Sequence, residues 1–125
     1  MILDENFNNI IGRISDIKKV KAIYIFGSQV NGRARKDSDV DIAVLTKGMS
    51  RNEELEIIGF GDDDLDISVF DNLPLVIQFR VLKEGKLLFC RDEKAVYDTR
   101  VRVFKQYLDF SYYLNNFYRR VLGNV

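Results

Sequence analysis

Ala22-Ile23-Tyr24-Ile25-Phe26-Gly27-Ser28, followed after ten residues by Asp39-Val40-Asp41-Ile42-Ala43-Val44-Leu45, decides how this chain folds. Two apolar runs of strand length flank a glycine turn, and both are close to continuous, as in buried strands. Side chains two apart share one face of a strand, so Asp39 and Asp41 stand side by side where the second strand opens. Adjacent carboxylates repel unless a cation lies between them, and Mg²⁺, a hard and oxygen-preferring ion, is the natural occupant. Gly27-Ser28 supplies the other half of a site. Glycine lets a phosphate approach the backbone, and N–H groups at a following helix start can hold it. Metal-assisted chemistry on a nucleoside triphosphate is what these parts imply.

Leu65-Asp66-Ile67-Ser68-Val69-Phe70 alternates strictly after the acidic turn Asp62-Asp63-Asp64, so it predicts a third strand with Asp66 and Ser68 on one face. Aspartates at a strand entrance can also be plain turn residues. A third carboxylate on a separate strand favours a metal site, because three from neighbouring strands can hold two ions, one orienting the triphosphate and one activating an incoming hydroxyl. Asp66 is placed nearest that hydroxyl, as ligand or proton acceptor. Asp64 shares its face and rivals it, but Asp62 to Asp64 read as a solvated turn. The Ser28 hydroxyl can bond a terminal phosphate, cap a helix, or both. Arg33, Arg35 and Lys36 lie where triphosphate charge needs neutralising, although each also fits a solvated surface. Arg80 and Lys83 are weaker candidates of the same kind.

Working outward, Phe7, Ile10, Ile11, Ile14 and Ile17 recur at helical spacing behind the capping-type residues Asp4 to Asn6. A short helix is expected near Gln29 to Gly32. Ser50-Arg51-Asn52-Glu53 resembles a capping box, opening a helix that carries Leu55, Ile57 and Ile58. Asn72 is expected to cap a further helix, with Pro74 in its first turn and Gly85 at its end. Lys86 to Cys90 reads as a fourth strand at a sheet edge.

From Asp92 to Leu122 the pattern is helical, with two apolar stripes: Tyr97, Val101, Phe104, Leu108 and Tyr112, and Val103, Tyr107, Phe110, Leu114, Phe117 and Val121. Unbroken, this helix is about 45 Å long, against a diameter of roughly 36 Å for a domain of this size. Either the helix breaks or its end overhangs and needs a partner. The fold class is therefore α/β (α+β), a small mixed sheet with helices before, between and after its strands, and residues 1–125 read as a single domain.

Composition removes several alternatives. With 19 basic and 19 acidic residues, nothing points to direct nucleic-acid binding through bulk charge. The absence of His disfavours zinc sites and imidazole catalysis. Cys90, the single cysteine, sits in the apolar run Leu87-Leu88-Phe89 and reads as a buried, inert thiol in a reducing compartment. No stretch is apolar enough for a membrane span, and no signal-peptide pattern opens the chain. A cytoplasmic location is expected.

Phe26-Gly27-Ser28-x-x-x-Gly32-x-Ala34-x-x-x-Ser38-Asp39-Val40-Asp41 resembles the signature of the DNA polymerase β superfamily of nucleotidyltransferases, and within it the minimal nucleotidyltransferases. Leu65-Asp66-Ile67 and the segment from Pro74 to Cys90 extend the likeness over most of the chain. Many such proteins resemble antitoxins paired with a HEPN-domain ribonuclease toxin, to whose tyrosine they transfer AMP from ATP. The resemblance implies that Asp39, Asp41 and Asp66 bind the catalytic metals, and that Gly27 and Ser28, with Arg33 and Ser38, hold the nucleotide. It further implies a two-ion Mg²⁺ site, ATP as substrate and a hetero-oligomer with the toxin. Many relatives carry Arg where this chain has Asn31, which leaves open the basic side chain that grips the phosphates. Two alternatives stand beside this reading: a non-catalytic module that neutralises a toxin by covering it, and an adenylyltransferase acting on an aminoglycoside-like small molecule.

Overall fold

The computed structural model describes residues 5–27 and 40–123. Its elements are α1 (Glu5–Ser15), β1 (Val20–Phe26), β2 (Val40–Thr46), α2 (Arg51–Ile58), β3 (Leu65–Val69), a 3-10 turn (Phe70–Asn72), α3 (Leu75–Glu84), β4 (Lys86–Cys90) and α4 (Glu93–Leu122). The short helix expected near Gln29 to Gly32 lies outside the described residues.

The four strands form one mixed sheet in the order β3-β2-β1-β4. β1 runs antiparallel to β2 and to β4, whereas β2 and β3 are parallel. One sheet face packs Ile23, Ile25, Val40, Ile42 and Val44 against Phe7 and Ile14 of α1 and Ile57 of α2. The other packs Ala22, Tyr24, Ala43 and Leu45 against Val81 and Leu82 of α3 and Val103 of α4. The central strands are covered on both sides, which is why β1 and β2 are nearly continuous apolar runs.

Local rules account for much of the rest. Ser50 Oγ accepts from the Glu53 backbone N–H at 3.2 Å, and Glu53 Oε1 accepts from the Ser50 N–H at 3.0 Å, completing the expected capping box. Arg91, just past β4, donates through Nη1 to the carbonyls of Ile17 (2.6 Å) and Val20 (2.8 Å), and through Nη2 to that of Ser15. One guanidinium thus ties the end of α1 to the edge of the sheet, where a cation also suits the helix dipole.

Two expectations are corrected, and the open choice for the last helix is decided. Asn72 does not cap α3. It ends the 3-10 turn and donates from Nδ2 to Glu54 Oε1 at 3.2 Å, while Pro74 occupies the cap position. Cys90 is half-buried, and Leu87 and Leu88 are 47% and 41% exposed, because an edge strand lacks full cover. α4 is unbroken over 30 residues, but the stripe through Tyr97, Val101, Leu108 and Tyr112 is exposed and only Phe104 of that set packs on the core.

Tyr24 supplies a stability test. It is 3% exposed, and among the described residues its Oη finds no hydrogen-bond partner. Burial pushes the phenol from 10.0 up to about 12, with the Arg100 charge partly offsetting. A folded value above the unfolded one gives stability that is complete below pH 10 and lost as pH climbs towards 12. Tyr24→Phe should therefore gain about 1 kcal/mol at pH 7, because an unsatisfied buried hydroxyl is removed. Its advantage over the parent should widen by about 1.4 kcal/mol at pH 11. Urea unfolding of both proteins at the two pH values measures this; a gap that does not widen would mean the phenol finds solvent or a partner in solution.

Candidate active site

The strand order brings three separated pieces of sequence to one end of the sheet. β1 ends there at Phe26, just before Gly27, and β2 and β3, which run the opposite way, begin there. Phe26 is the register partner of Asp41, and Asp41 is the register partner of Asp66. The neighbours Val40, Ile42, Leu65 and Ile67 all point into the α1–α2 side of the core. By alternation Asp41 and Asp66 therefore share the opposite face, on adjacent strands about 4.8 Å apart. Asp41 is half-buried and Asp66 exposed.

Gly27 completes this corner. Its φ of 92° lies in a region that side chains rarely adopt. A Cβ built on it would overlap Asp41 Oδ2 and sit 3.3 Å from Asp41 Cγ. The Asp41 carboxylate therefore reaches over the glycine, in the space a side chain would fill. Glycine is needed here on two counts, for its backbone angle and for this close approach.

Asp64 lies in the turn before β3, outside the strand that carries Asp66. Asp62 Oδ1 accepts from the Asp64 N–H at 2.8 Å, and the Asp64 carbonyl accepts from Val40 N–H at 3.0 Å. Asp62 to Asp64 are exposed, an Asx-type turn that leads into β3 and pins its start to that of β2.

Of the site residues expected from sequence, Gly27, Asp41 and Asp66 are brought together. Ser28, Arg33, Arg35, Lys36, Ser38 and Asp39 lie outside the described residues. Among the described residues no group of three His, Cys, Asp or Glu side chains forms a cluster. The donors that do meet are carboxylates alone, on neighbouring strands, with Gly27 close against one of them. That donor set suits a hard divalent cation and no soft metal. The register pairing of Asp41 with Asp66 was beyond local sequence signals, since it depends on β3 lying parallel to β2. No helix among the described residues is long and apolar enough to cross a membrane.

A family model described as "Polymerase beta, Nucleotidyltransferase" matches residues 8–94. A Methanocaldococcus jannaschii protein named as a candidate protein adenylyltransferase, MJ1547, is 37% identical over 73 residues, 58% of this chain and 58% of its own. Protein adenylyltransferase MntA of Shewanella oneidensis is 33% identical over 90 residues, 67% of this chain and 65% of that protein. The matched stretches thus span about three-fifths of these curated relatives. A crystal structure of a toxin-antitoxin with AMP-PNP superposes with a TM-score of 0.72 at 25% identity, covering 95% of this chain and 99% of that one.

Proposed function

Because this chain belongs to the polymerase beta nucleotidyltransferase family, whose model spans residues 8–94, we propose that it is a protein adenylyltransferase and an antitoxin. Its 125 residues act as one minimal nucleotidyltransferase domain. It transfers AMP from ATP to a tyrosine hydroxyl of a cognate HEPN-type toxin, in the cytoplasm and in complex with that toxin. The observation that carries this reading is the meeting of Gly27, Asp41 and Asp66 at one end of the sheet. Adenylyltransferase names among the relatives and a toxin-antitoxin pair among the structural neighbours support the donor and the partner.

Asp39, Asp41 and Asp66 would hold Mg²⁺, two ions in the full arrangement. Bound there, the metal neutralises the triphosphate and lowers the pKa of the acceptor hydroxyl. The Gly27 backbone, with Ser28, Arg33 and Ser38, would contact the triphosphate. The acceptor oxygen forms a bond to the α-phosphorus as the bond to the bridging oxygen breaks, and pyrophosphate leaves. Asp66, which is exposed, would serve the acceptor hydroxyl either as metal ligand or by taking its proton.

The test combines the purified chain with ATP, Mg²⁺ and the protein encoded by the adjacent gene. Intact-mass spectrometry should show one or more added AMP groups on that protein, with matching pyrophosphate release and none of either under EDTA. If the neighbour gains no mass, the transfer reading falls. A second reading, neutralisation by covering alone, is favoured by the exposed aromatic end of α4. It predicts that toxin control survives the loss of the carboxylates.

A further inference from the structure

Only the first half of α4 packs on the sheet. Phe79 of α3 stacks on Tyr107, with ring centroids 3.9 Å apart and planes 4° from parallel. Beyond Tyr107 no described residue is buried. The helix nevertheless runs on from Leu108 to Leu122, about 22 Å further.

The residues on that extension do not suit a solvated ending. Phe110, Tyr113, Phe117, Tyr118 and Val121 are 41% to 61% exposed. Together they present on the order of 500 Å² of largely apolar surface, a size of patch that is often functional. Positions 103, 107, 110, 114, 117 and 121 advance in steps of four and three, so one stripe runs from the buried Val103 out past the edge of the sheet. That spacing is the signature of packing against another helix.

Two further features define the occupant. Tyr113 and Tyr118 flank the stripe on opposite sides and widen the apolar arc to about 140°. One helix, such as the same segment of a second copy, covers the narrow stripe and leaves one of these tyrosines in water. A groove between two helices covers the whole arc. Past Asp109 the only charged side chains before Leu122 are Arg119 and Arg120, and Arg120 borders the arc beside Tyr113. Arg119 lies on the far side of the helix, so it is Arg120 that an acidic rim would complement.

We propose that the end of α4 is a docking arm for the protein substrate, seated in an acidic-rimmed groove between two helices of that partner. The identity of the partner rests on the adenylyltransferase reading. Docking here keeps recruitment separate from the chemistry at Gly27, Asp41 and Asp66, and raises the effective concentration of the acceptor hydroxyl.

The experiment measures binding of the adjacent gene's product by calorimetry, together with transfer kinetics. Phe110→Ala/Phe117→Ala/Val121→Ala should weaken the affinity by about 100-fold or more. It should raise KM for the protein substrate, leave kcat at saturation and MgATP binding unchanged, and keep the helical circular dichroism of the parent. Asp41→Asn should do the reverse, binding the partner normally while transferring little. A parent that binds through this arm but adds no AMP would sink the transfer reading and leave the docking proposal standing. Unchanged affinity in the triple variant overturns the proposal. So does a parent that does not bind the product, or a homodimer that the triple substitution dissociates while partner binding persists.

Discussion

Asp41→Asn is expected to cut AMP transfer about a thousandfold, equivalent to about 4 kcal/mol of transition-state stabilisation, while the protein stays folded. The substitution keeps the shape of the side chain and one of its oxygens but removes its charge. At this position the charge is what matters. Asp41 is flanked in register by Asp66 on one side and by Phe26 on the other, and its carboxylate fills the space over Gly27. A neutral amide there would hold a divalent cation poorly. Asp66→Asn, at an exposed position, should show the same pattern of lost transfer at unchanged stability. Initial rates with excess Mg²⁺, alongside thermal melts, test both variants. A rate within tenfold of the parent would mean that Asp41 holds no catalytic metal. Retained toxin neutralisation in cells by a transfer-dead Asp41→Asn protein would favour covering over catalysis.

Local signals in the sequence carried those features that local physics decides. The capping box at Ser50 and Glu53 is a contact three residues long, and it formed as read. The alternation that set Asp66 and Ser68 apart from Leu65, Ile67 and Val69 survived as the burial pattern of β3. Errors arose where distant packing overrode a local rule. Asn72 looked like a helix cap because it precedes Pro74, but burial of Phe70 draws the chain into a tight turn first and shifts the cap to Pro74. Cys90 looked buried because it follows the apolar Leu87-Leu88-Phe89, yet the edge strand expected there lacks cover whatever its composition. In α4 the stripe is periodic from Val103 to Val121, and periodicity carries no mark of where the sheet beneath it stops. The site divides in the same way. Residue types and spacing picked out Gly27, Asp41 and Asp66, whereas their register is a property of strand order. The overlap between a Gly27 side chain and Asp41 belongs to three dimensions alone.

That overlap makes Gly27→Ala the second large effect, about a hundredfold or more in transfer rate, since a displacement near 1 Å at a reacting centre can cost that much. Two costs combine at this position. A φ of 92° is unfavourable for alanine and costs about 1–3 kcal/mol. The new Cβ would also occupy the place of Asp41 Oδ2, so either the carboxylate swings aside or the turn after β1 shifts. Both outcomes move Asp41 relative to Asp66 and to the space left for phosphate. Gly48 separates the two costs. Its φ is 76°, in the same half of conformational space, and nothing lies within 4 Å of a Cβ built there. Gly48→Ala should therefore lose comparable stability and keep its transfer rate, while Gly27→Ala loses both. Equal and small losses of activity in the two variants would show that the Asp41 carboxylate does not depend on the lack of a side chain at Gly27. The pair of measurements, urea midpoint and initial rate for each variant, thus distinguishes backbone strain from displacement of the Asp41 carboxylate.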